Sequence, residues 1–205
     1  MKKGLHRSFN AATYYDKRAP HHREHLFACK LEKSLVKEFG MKFGDEISEL
    51  LIERMTMADK KAALALDQKC FSSADTFDAD MIEEYLTDPK TCLNLCIKSP
   101  SGKLIAFIIC EAKQKRSTIE TLDIDPRFRR MGLAERLTKE AIKRLSRNEN
   151  IKRIYLQVNP KNAKAIALYE KLGFRFQKRL KNFYPLNGRT PQNAHDGFQF
   201  VKELK

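Results

Sequence analysis

Arg129-Arg130-Met131-Gly132-Leu133-Ala134 lies between a strand-like run and a long amphipathic helix, and its reading decides the fold. Upstream, Ile119-Glu120-Thr121-Leu122-Asp123-Ile124 alternates apolar and polar residues in the manner of a strand and is closed by Asp125 and Pro126. Downstream, Leu133, Leu137, Ala141 and Leu145 recur at helical spacing, with Ile142 widening the apolar stripe. Gly132 therefore falls at a helix start. There a missing side chain lets unpaired backbone N–H groups approach an anion, and the helix dipole favours negative charge. Taken alone, such a turn is more often plain strand-to-helix punctuation than a phosphate cradle.

A second stretch shifts the balance. Arg153 to Val158 reads as a strand, and Asn159-Pro160-Lys161-Asn162 leads into a short helix running through Leu168-Tyr169-Glu170-Lys171-Leu172 to Gly173-Phe174. Arg129-x-x-Gly132-x-Ala134 resembles the acyl-coenzyme-A pyrophosphate loop of the GNAT superfamily of N-acetyltransferases. The Asn-opened helix resembles that family's other cofactor-side element, in the same order and at the expected distance. The resemblance covers about residues 50 to 202, taken as one domain of ordinary size. Within it, Lys181-Asn182-Phe183-Tyr184-Pro185 and Asp196-Gly197 look like the closing hairpin of the bacterial ribosomal-protein N-terminal acetyltransferases.

The chain has 205 residues and is 42% hydrophobic, enough for one full domain plus an extension and too little for two large domains. No apolar run approaches the roughly 20 residues that span a bilayer, and no signal-like stretch opens the chain. The expectation is a cytoplasmic protein with no membrane segment. Five cysteines (Cys29, Cys70, Cys92, Cys96, Cys110) show no paired metal-ligand spacing, and several sit inside apolar runs, so reduced buried thiols are expected. His21, His22 and His25 lack partners at ligand spacing, and no metal is expected.

Formal net charge is +14, from 40 Lys and Arg against 26 Asp and Glu. Cations are dense at Lys113, Lys115 and Arg116, at Arg127, Arg129, Arg130, Arg136 and Lys139, and from Arg175 to Lys181. Such a field draws polyanions. Coenzyme A accounts for part of it; the remainder suits ribosomes, RNA or acidic peptides, or is a dispersed solvated face.

Residues 1–49 read as a basic extension. Its first 25 residues are polar and expected to lack stable structure, and one amphipathic helix is expected from His25 to Phe39, with Gly40 as its stop. Residues 50–205 form the domain. A strand near Leu51–Met55 precedes a helix capped by Thr56 and Asp59 and ending near Cys70 and Phe71. A second helix is expected from about Asp78 to Leu86. Strands at Leu93–Lys98 and Leu104–Ala112 join at Ser99-Pro100-Ser101-Gly102 and, with the strand at Ile119, make a meander. The whole order is that of the α/β GNAT acyl-CoA N-acyltransferase fold, a mixed central sheet flanked by helices.

Acetyl transfer to an amine needs an uncharged nucleophile, a polarised thioester carbonyl and a proton donor for the departing thiolate. The resemblance implies acetyl-CoA as co-substrate. The backbone of Leu122, Asp123 and Ile124 would hold the pantetheine arm and acetyl group, the amides of Arg129, Arg130, Met131, Gly132, Leu133 and Ala134 the pyrophosphate, and Asn162 the arm from the opposite side. Tyr169 occupies the position of the family's phenol, whose ordinary pKa near 10 suits protonation of the leaving sulfur. Without the family it reads as a core aromatic beside Leu168 and Leu172. The ribosomal-protein enzymes carry a Glu before the Asn-opened helix; here that residue is Gln157, which accepts no proton at neutral pH. Glu120 replaces it as candidate base, since alternation places it on the strand face of Leu122 and Ile124, within reach of the site directly or through one water; a surface or strand-pairing Glu is equally compatible. Tyr184 would line an amine-accepting slot, its plainer role being packing beside Phe183, and Phe71 and Tyr85 would wall the groove.

The function expected is acetylation of a protein or peptide amine, first of all an N-terminal one. Acetylation of a small amine, a polyamine or a lysine side chain is the alternative within enzymes. A non-catalytic module that binds acyl-CoA is the alternative outside them.

Overall fold

The computed structural model describes residues 38–40, 50–71, 76–184 and 195–204, and for Tyr184 and His195 the backbone alone. Residues 1–37 lie outside the described residues, and with them the basic segment and most of the helix expected from His25. The chain divides into two compact units, residues 1–51 with 98–103 and residues 52–97 with 104–205.

In the first unit Glu38 and Phe39 are helical, and Gly40 follows at φ 65°, the left-handed conformation that a helix stop requires and that glycine adopts without steric cost. The Phe39 carbonyl accepts from Ser101 N (3.2 Å), and Lys103 Nζ stands 5.8 Å from the Phe39 ring centroid.

The second unit is built on a seven-stranded sheet in the order β1-β2-β3-β4-β5-β7-β6. The strands are β1 (Ile52–Arg54), β2 (Cys92–Lys98), β3 (Leu104–Lys113), β4 (Arg116–Ile124), β5 (Arg153–Val158), β6 (Arg175–Tyr184) and β7 (His195–Glu203). β1 runs antiparallel to β2, β3 to β4, and β7 to both β5 and β6; β4 and β5 are parallel. The helices are α1 (Lys60–Cys70), α2 (Ala79–Thr87), α3 (Leu133–Leu145) and α4 (Ala163–Lys171).

Local chemistry fixes the helix starts. The Thr56 N–H donates to Asp59 Oδ2 (3.0 Å) at the 3-10 turn that leads into α1, and Asp78 accepts from Met81 N (2.8 Å) at the start of α2. Leu104 to Cys110 of β3 are all buried, which requires cover on both faces of the sheet. Met55, Ala63, Leu66, Ile82, Phe107 and Ile109 share one core cluster under α1 and α2. On α3, Leu133, Leu137, Ala141 and Leu145 are buried, and that helix packs on β3 and β4 as well. Cys92, Cys96 and Cys110 are buried and Cys70 half-buried, and all four are free thiols. Among the described residues no helix is long and apolar enough to cross a membrane.

Candidate active site

The two parallel strands at the centre of the sheet separate before they end. Pairing between β4 and β5 runs from Arg116↔Arg153 to Ile119↔Leu156, whereas β4 continues to Ile124 and β5 to Val158. Beyond Ile119 the sheet therefore opens into a gap at the C-terminal ends of both strands. Asp125 N donates to Ile105 O on β3 (2.9 Å), so in an antiparallel ladder Asp123 also faces β3 while Leu122 and Ile124 turn their N–H and C=O groups toward the gap. The Ile124 carbonyl accepts Cys70 Sγ and Arg129 Nε, both at 3.3 Å, in keeping with that direction. Of the three backbone segments expected from the sequence, Leu122 and Ile124 address the gap, and Asp123 is drawn to β3.

The turn after β4 is held by Asp125. Burial works against its charge, but the Arg127 guanidinium and backbone N–H hold this carboxylate below its ordinary range, with Arg127 Nε and Nη2 at 3.0 and 2.8 Å. A 3-10 turn at Pro126–Phe128 follows, anchored by the buried Phe128. Arg130 (φ 68°) and Gly132 (φ 80°) both take positive φ, the kind of backbone from which anion-binding concavities of successive N–H groups are built. Arg136 N makes an intrahelical bond to Gly132 O, leaving the N–H groups of Leu133, Ala134 and Glu135 at the helix start. A Cβ built on Gly132 would meet nothing within 4 Å, so the glycine is required by backbone conformation rather than by crowding. Glu135 is the one acid in this first turn. Hydrogen bonds from Lys139 and Lys171 bring its carboxyl down to about 2 and offset its charge where a phosphate would sit.

Asn162 caps α4, its side-chain oxygen accepting from Ala165 N (3.1 Å). Tyr169, one turn before the end of that helix, is 8% exposed and lies edge-on to Phe174 with ring centroids 5.8 Å apart. The ring packs in the core as its neighbours Leu168 and Leu172 suggested.

Glu120 lies at an irregularity of β4. Ile119 pairs with Cys110 and Thr121 with Ile109, so Glu120 is an extra residue, a β-bulge opposite β3. The alternation of burial continues through it, and Glu120, Leu122 and Ile124 are all half-buried between buried neighbours. Its charge acts on Tyr85 of α2. Burial first, then the Glu111 charge, pushes the Glu120 carboxyl up to about 7, with Lys113 opposing; burial and the charges of Glu120 and Glu111 push the Tyr85 phenol up as well. Gln157 on β5 pairs with Gln199 and is half-buried. Phe71 ends α1 with its ring 40% exposed, consistent with a groove wall. The Tyr184 backbone pairs with His195; its side chain lies outside the described residues.

Asp67 and Thr121 carried no signal in the sequence, and Asp123 was expected only through its backbone. Asp123 is 1% exposed and Asp67 of α1 is 0% exposed. Thr121 Oγ1 donates to Asp123 Oδ2 (2.6 Å), and Phe77 N donates to Asp67 Oδ2 (2.8 Å). Burial pushes Asp123 up to about 7, with the Asp67 charge adding to the rise, and Asp67 itself up to about 6. Among the described residues no group of three or more His, Cys, Asp or Glu side chains is arranged to hold a metal.

Comparison with known proteins gives this arrangement a lineage. The Acetyltransferase (GNAT) family model matches residues 60–174. The chain is 31% identical over 137 residues to ribosomal protein bS18-alanine N-acetyltransferase of Escherichia coli (strain K12), spanning 65% of this chain and 86% of that protein. It is 36% identical over 70 residues to the N-alpha-acetyltransferase of Saccharolobus solfataricus, spanning 34% of this chain and 42% of that one. Among solved structures, the ribosomal-protein-S18-alanine N-acetyltransferase from Escherichia coli superposes with TM-score 0.66 at 24% identity, covering 76% of this chain and 94% of its own. Arabidopsis thaliana NAA60 in complex with acetyl-CoA superposes with TM-score 0.67 at 20% identity, covering 75% and 98%. These two superpositions establish the fold.

Proposed function

The chain belongs to the acetyltransferase (GNAT) family, and from that premise we propose that it transfers the acetyl group of acetyl-CoA to the N-terminal α-amine of a protein or peptide. The observation that carries the reading is the gap between β4 and β5, opening at the same end of the sheet as the Gly132 turn. A strand edge with unpaired amides and a helix start with converging amides are the two features that a long, diphosphate-bearing thioester needs. The choice of acceptor draws on the relatives named as acting on ribosomal protein bS18 alanine and as N-alpha-acetyltransferases.

In this reading residues 50–205 are the catalytic domain and residues 1–49 an extension. The amides of Leu122 and Ile124 hold the arm and acetyl group from one side and Asn162 from the other, and the amides of Arg129 to Ala134 hold the diphosphate. Asp123 contributes by fixing β4 rather than by its own amide. Glu120 takes the amine proton directly or through one water. A carboxyl titrating near 7 is matched to that work at neutral pH, and Gln157 leaves no acid on β5 at the corresponding position. Tyr169 gives a proton to the departing thiolate, while Phe71 and Tyr184 border the acceptor groove. The reading places the enzyme in the cytoplasm, and its cationic surface favours approach to acidic or ribosomal partners.

Labelled acetyl donor is offered to peptides with free and with blocked N-termini, and to polyamines. Labelling confined to free N-termini supports the acceptor assigned here. Labelling of blocked peptides or of polyamines overturns it and favours a side-chain or small-amine enzyme. Tight acetyl-CoA binding without turnover on any amine favours a non-catalytic module.

A further inference from the structure

The Ile124 carbonyl is the last acceptor of β4 on the side of the gap, and it is engaged twice. Cys70 Sγ, on the last residue of α1, and Arg129 Nε, on the turn that follows β4, both donate to it at 3.3 Å. A carbonyl oxygen has two lone pairs, so these two donors fill it. In the proposed reading this is the strand edge along which the amide-bearing arm of the thioester lies. An extended amide chain adds to a strand edge through its N–H groups as well as its carbonyls. An arm N–H therefore reaches Ile124 O only when one of the two donors leaves.

The two donors differ in how firmly they are held. Cys70 is half-buried on a helix, and burial first, with the Asp123 charge adding, pushes its thiol up to about 11. At neutral pH the sulfur keeps its proton and remains a donor. Arg129 is exposed, and its 3.3 Å contact lies beyond the ordinary N–H···O range of about 2.7–3.2 Å. Its charge acts on the Cys70 thiol and on Asp123, which places the guanidinium over this end of the strand. A guanidinium carries several N–H donors in a fixed fork that matches phosphate oxygens two at a time. Arg129 also begins the turn whose amides face the diphosphate in the proposed reading.

We propose that the Arg129 side chain is a specificity latch on the co-substrate site: it holds the Ile124 carbonyl until a diphosphate draws the guanidinium away, so the gap admits thioester arms that bring a diphosphate and resists those that do not. The proposal rests on the reading of the gap as the seat of the thioester arm. The diphosphate is the stronger partner, because a charge-assisted, bidentate pair exceeds one long bond to a neutral carbonyl. Cys70 stays, and the arm takes the lone pair that Arg129 gives up. Arg129 thus discriminates by a penalty as well as by an attraction: a short thioester must break the Arg129–Ile124 contact and gains no phosphate contact in return.

The test uses the full chain with acetyl-CoA, with inorganic pyrophosphate, and with S-acetylpantetheine, which keeps the arm and lacks the diphosphate. Arg129→Met retains a stem of similar length and removes the donors. Calorimetry follows acetyl-CoA, and NMR titration follows the weaker S-acetylpantetheine. The variant should bind S-acetylpantetheine about fivefold more tightly than the parent and acetyl-CoA about tenfold less tightly. In the parent, saturating pyrophosphate should strengthen S-acetylpantetheine binding by about the same fivefold, a coupling that disappears in Arg129→Met. The pyrophosphate measurement needs no variant, so it decides the matter if Arg129→Met folds poorly. Unchanged S-acetylpantetheine affinity in the variant, with no effect of pyrophosphate in the parent, leaves Arg129 as a phosphate contact alone and overturns the latch. Weaker binding of both thioesters overturns it too, by marking Arg129 as a support for the turn. So does S-acetylpantetheine that binds neither protein while the parent binds acetyl-CoA. Failure of the functional reading shows in the parent by itself, which then binds no acetyl-CoA.

Discussion

The Thr121 hydroxyl donates to Asp123 Oδ2 across 2.6 Å, inside the strand whose far edge bounds the gap. Burial pushes Asp123 up to about 7 from an unfolded value near 3.8, so between those limits the folded protein holds a proton that the unfolded chain has released. The associated stability is complete below the unfolded value and is lost as pH rises through the folded one. Asp67, pushed up to about 6, acts in the same direction over a narrower range. Asp123→Asn keeps a hydrogen-bonding partner for Thr121 and removes the titration. Urea unfolding of this variant between pH 4 and 8 should give a flatter stability profile, with a gain of roughly 3 kcal/mol at pH 8. A variant whose pH profile parallels the parent's would rule out a buried, titrating Asp123.

As the proposed base, Glu120 should set the acid limb of the rate. If its carboxyl is the base, kcat/KM rises with pH around a midpoint near 7, and Glu120→Gln lowers kcat by about 10²–10⁴-fold. Glu111 contributes to that midpoint through its charge, so Glu111→Gln should move the limb to lower pH with little change in the plateau. A limb that stays in place after Glu111→Gln assigns it to another group.

Tyr169→Phe keeps the edge-on contact with Phe174 and removes only the hydroxyl. Melting temperature and acetyl-CoA affinity should be retained while kcat falls by at least about tenfold, the share expected of a general acid. Full activity in this variant would leave Tyr169 as a core aromatic and nothing more.

At Asn162 two roles are separable. Serine can also accept the Ala165 N–H, so Asn162→Ser should preserve stability, whereas Asn162→Ala should cost about 1 kcal/mol as a lost helix cap. Weaker acetyl-CoA binding in both variants, measured by calorimetry, would identify the amide as a contact to the arm. Loss in the alanine variant alone would reduce Asn162 to a cap.

Gly132→Ala meets no steric obstacle at its Cβ, yet it must hold φ 80°. The strain of about 1–2 kcal/mol should appear as acetyl-CoA binding weakened roughly tenfold, because the turn relaxes when no ligand holds it. Gly132→Asn, better suited to left-handed backbone, should bind more tightly than the alanine variant. Equal affinity for parent and alanine forms would separate the glycine from the cradle.

Elements whose instructions are local were legible in the sequence. The Thr56–Asp59 cap, the helix start near Asp78, the apolar stripe from Leu133 to Leu145, Gly40 and Gly132 at their turns, and the β2–β3 turn all depend on residues within a few positions of one another. For that reason, among the described residues, the expected strands and helices lie within a few residues of those observed. β6 was the partial exception: only its end at Lys181–Tyr184 stood out, since an exposed, cation-rich edge strand has no apolar period to betray it.

What the chain by itself determined is its order of elements, the turn at Gly132 and its family. What tertiary structure alone decided is the surroundings of each residue. The bulge at Glu120 exists because β3 and β4 differ by one residue in register, a property of two strands together. The burial that holds a proton on Asp123 comes from α1 packing over it, more than fifty positions away in sequence, and the gap comes from where β4 parts from β5. Period and spacing encode which residues form a strand; they carry no information about where its neighbour stops pairing with it.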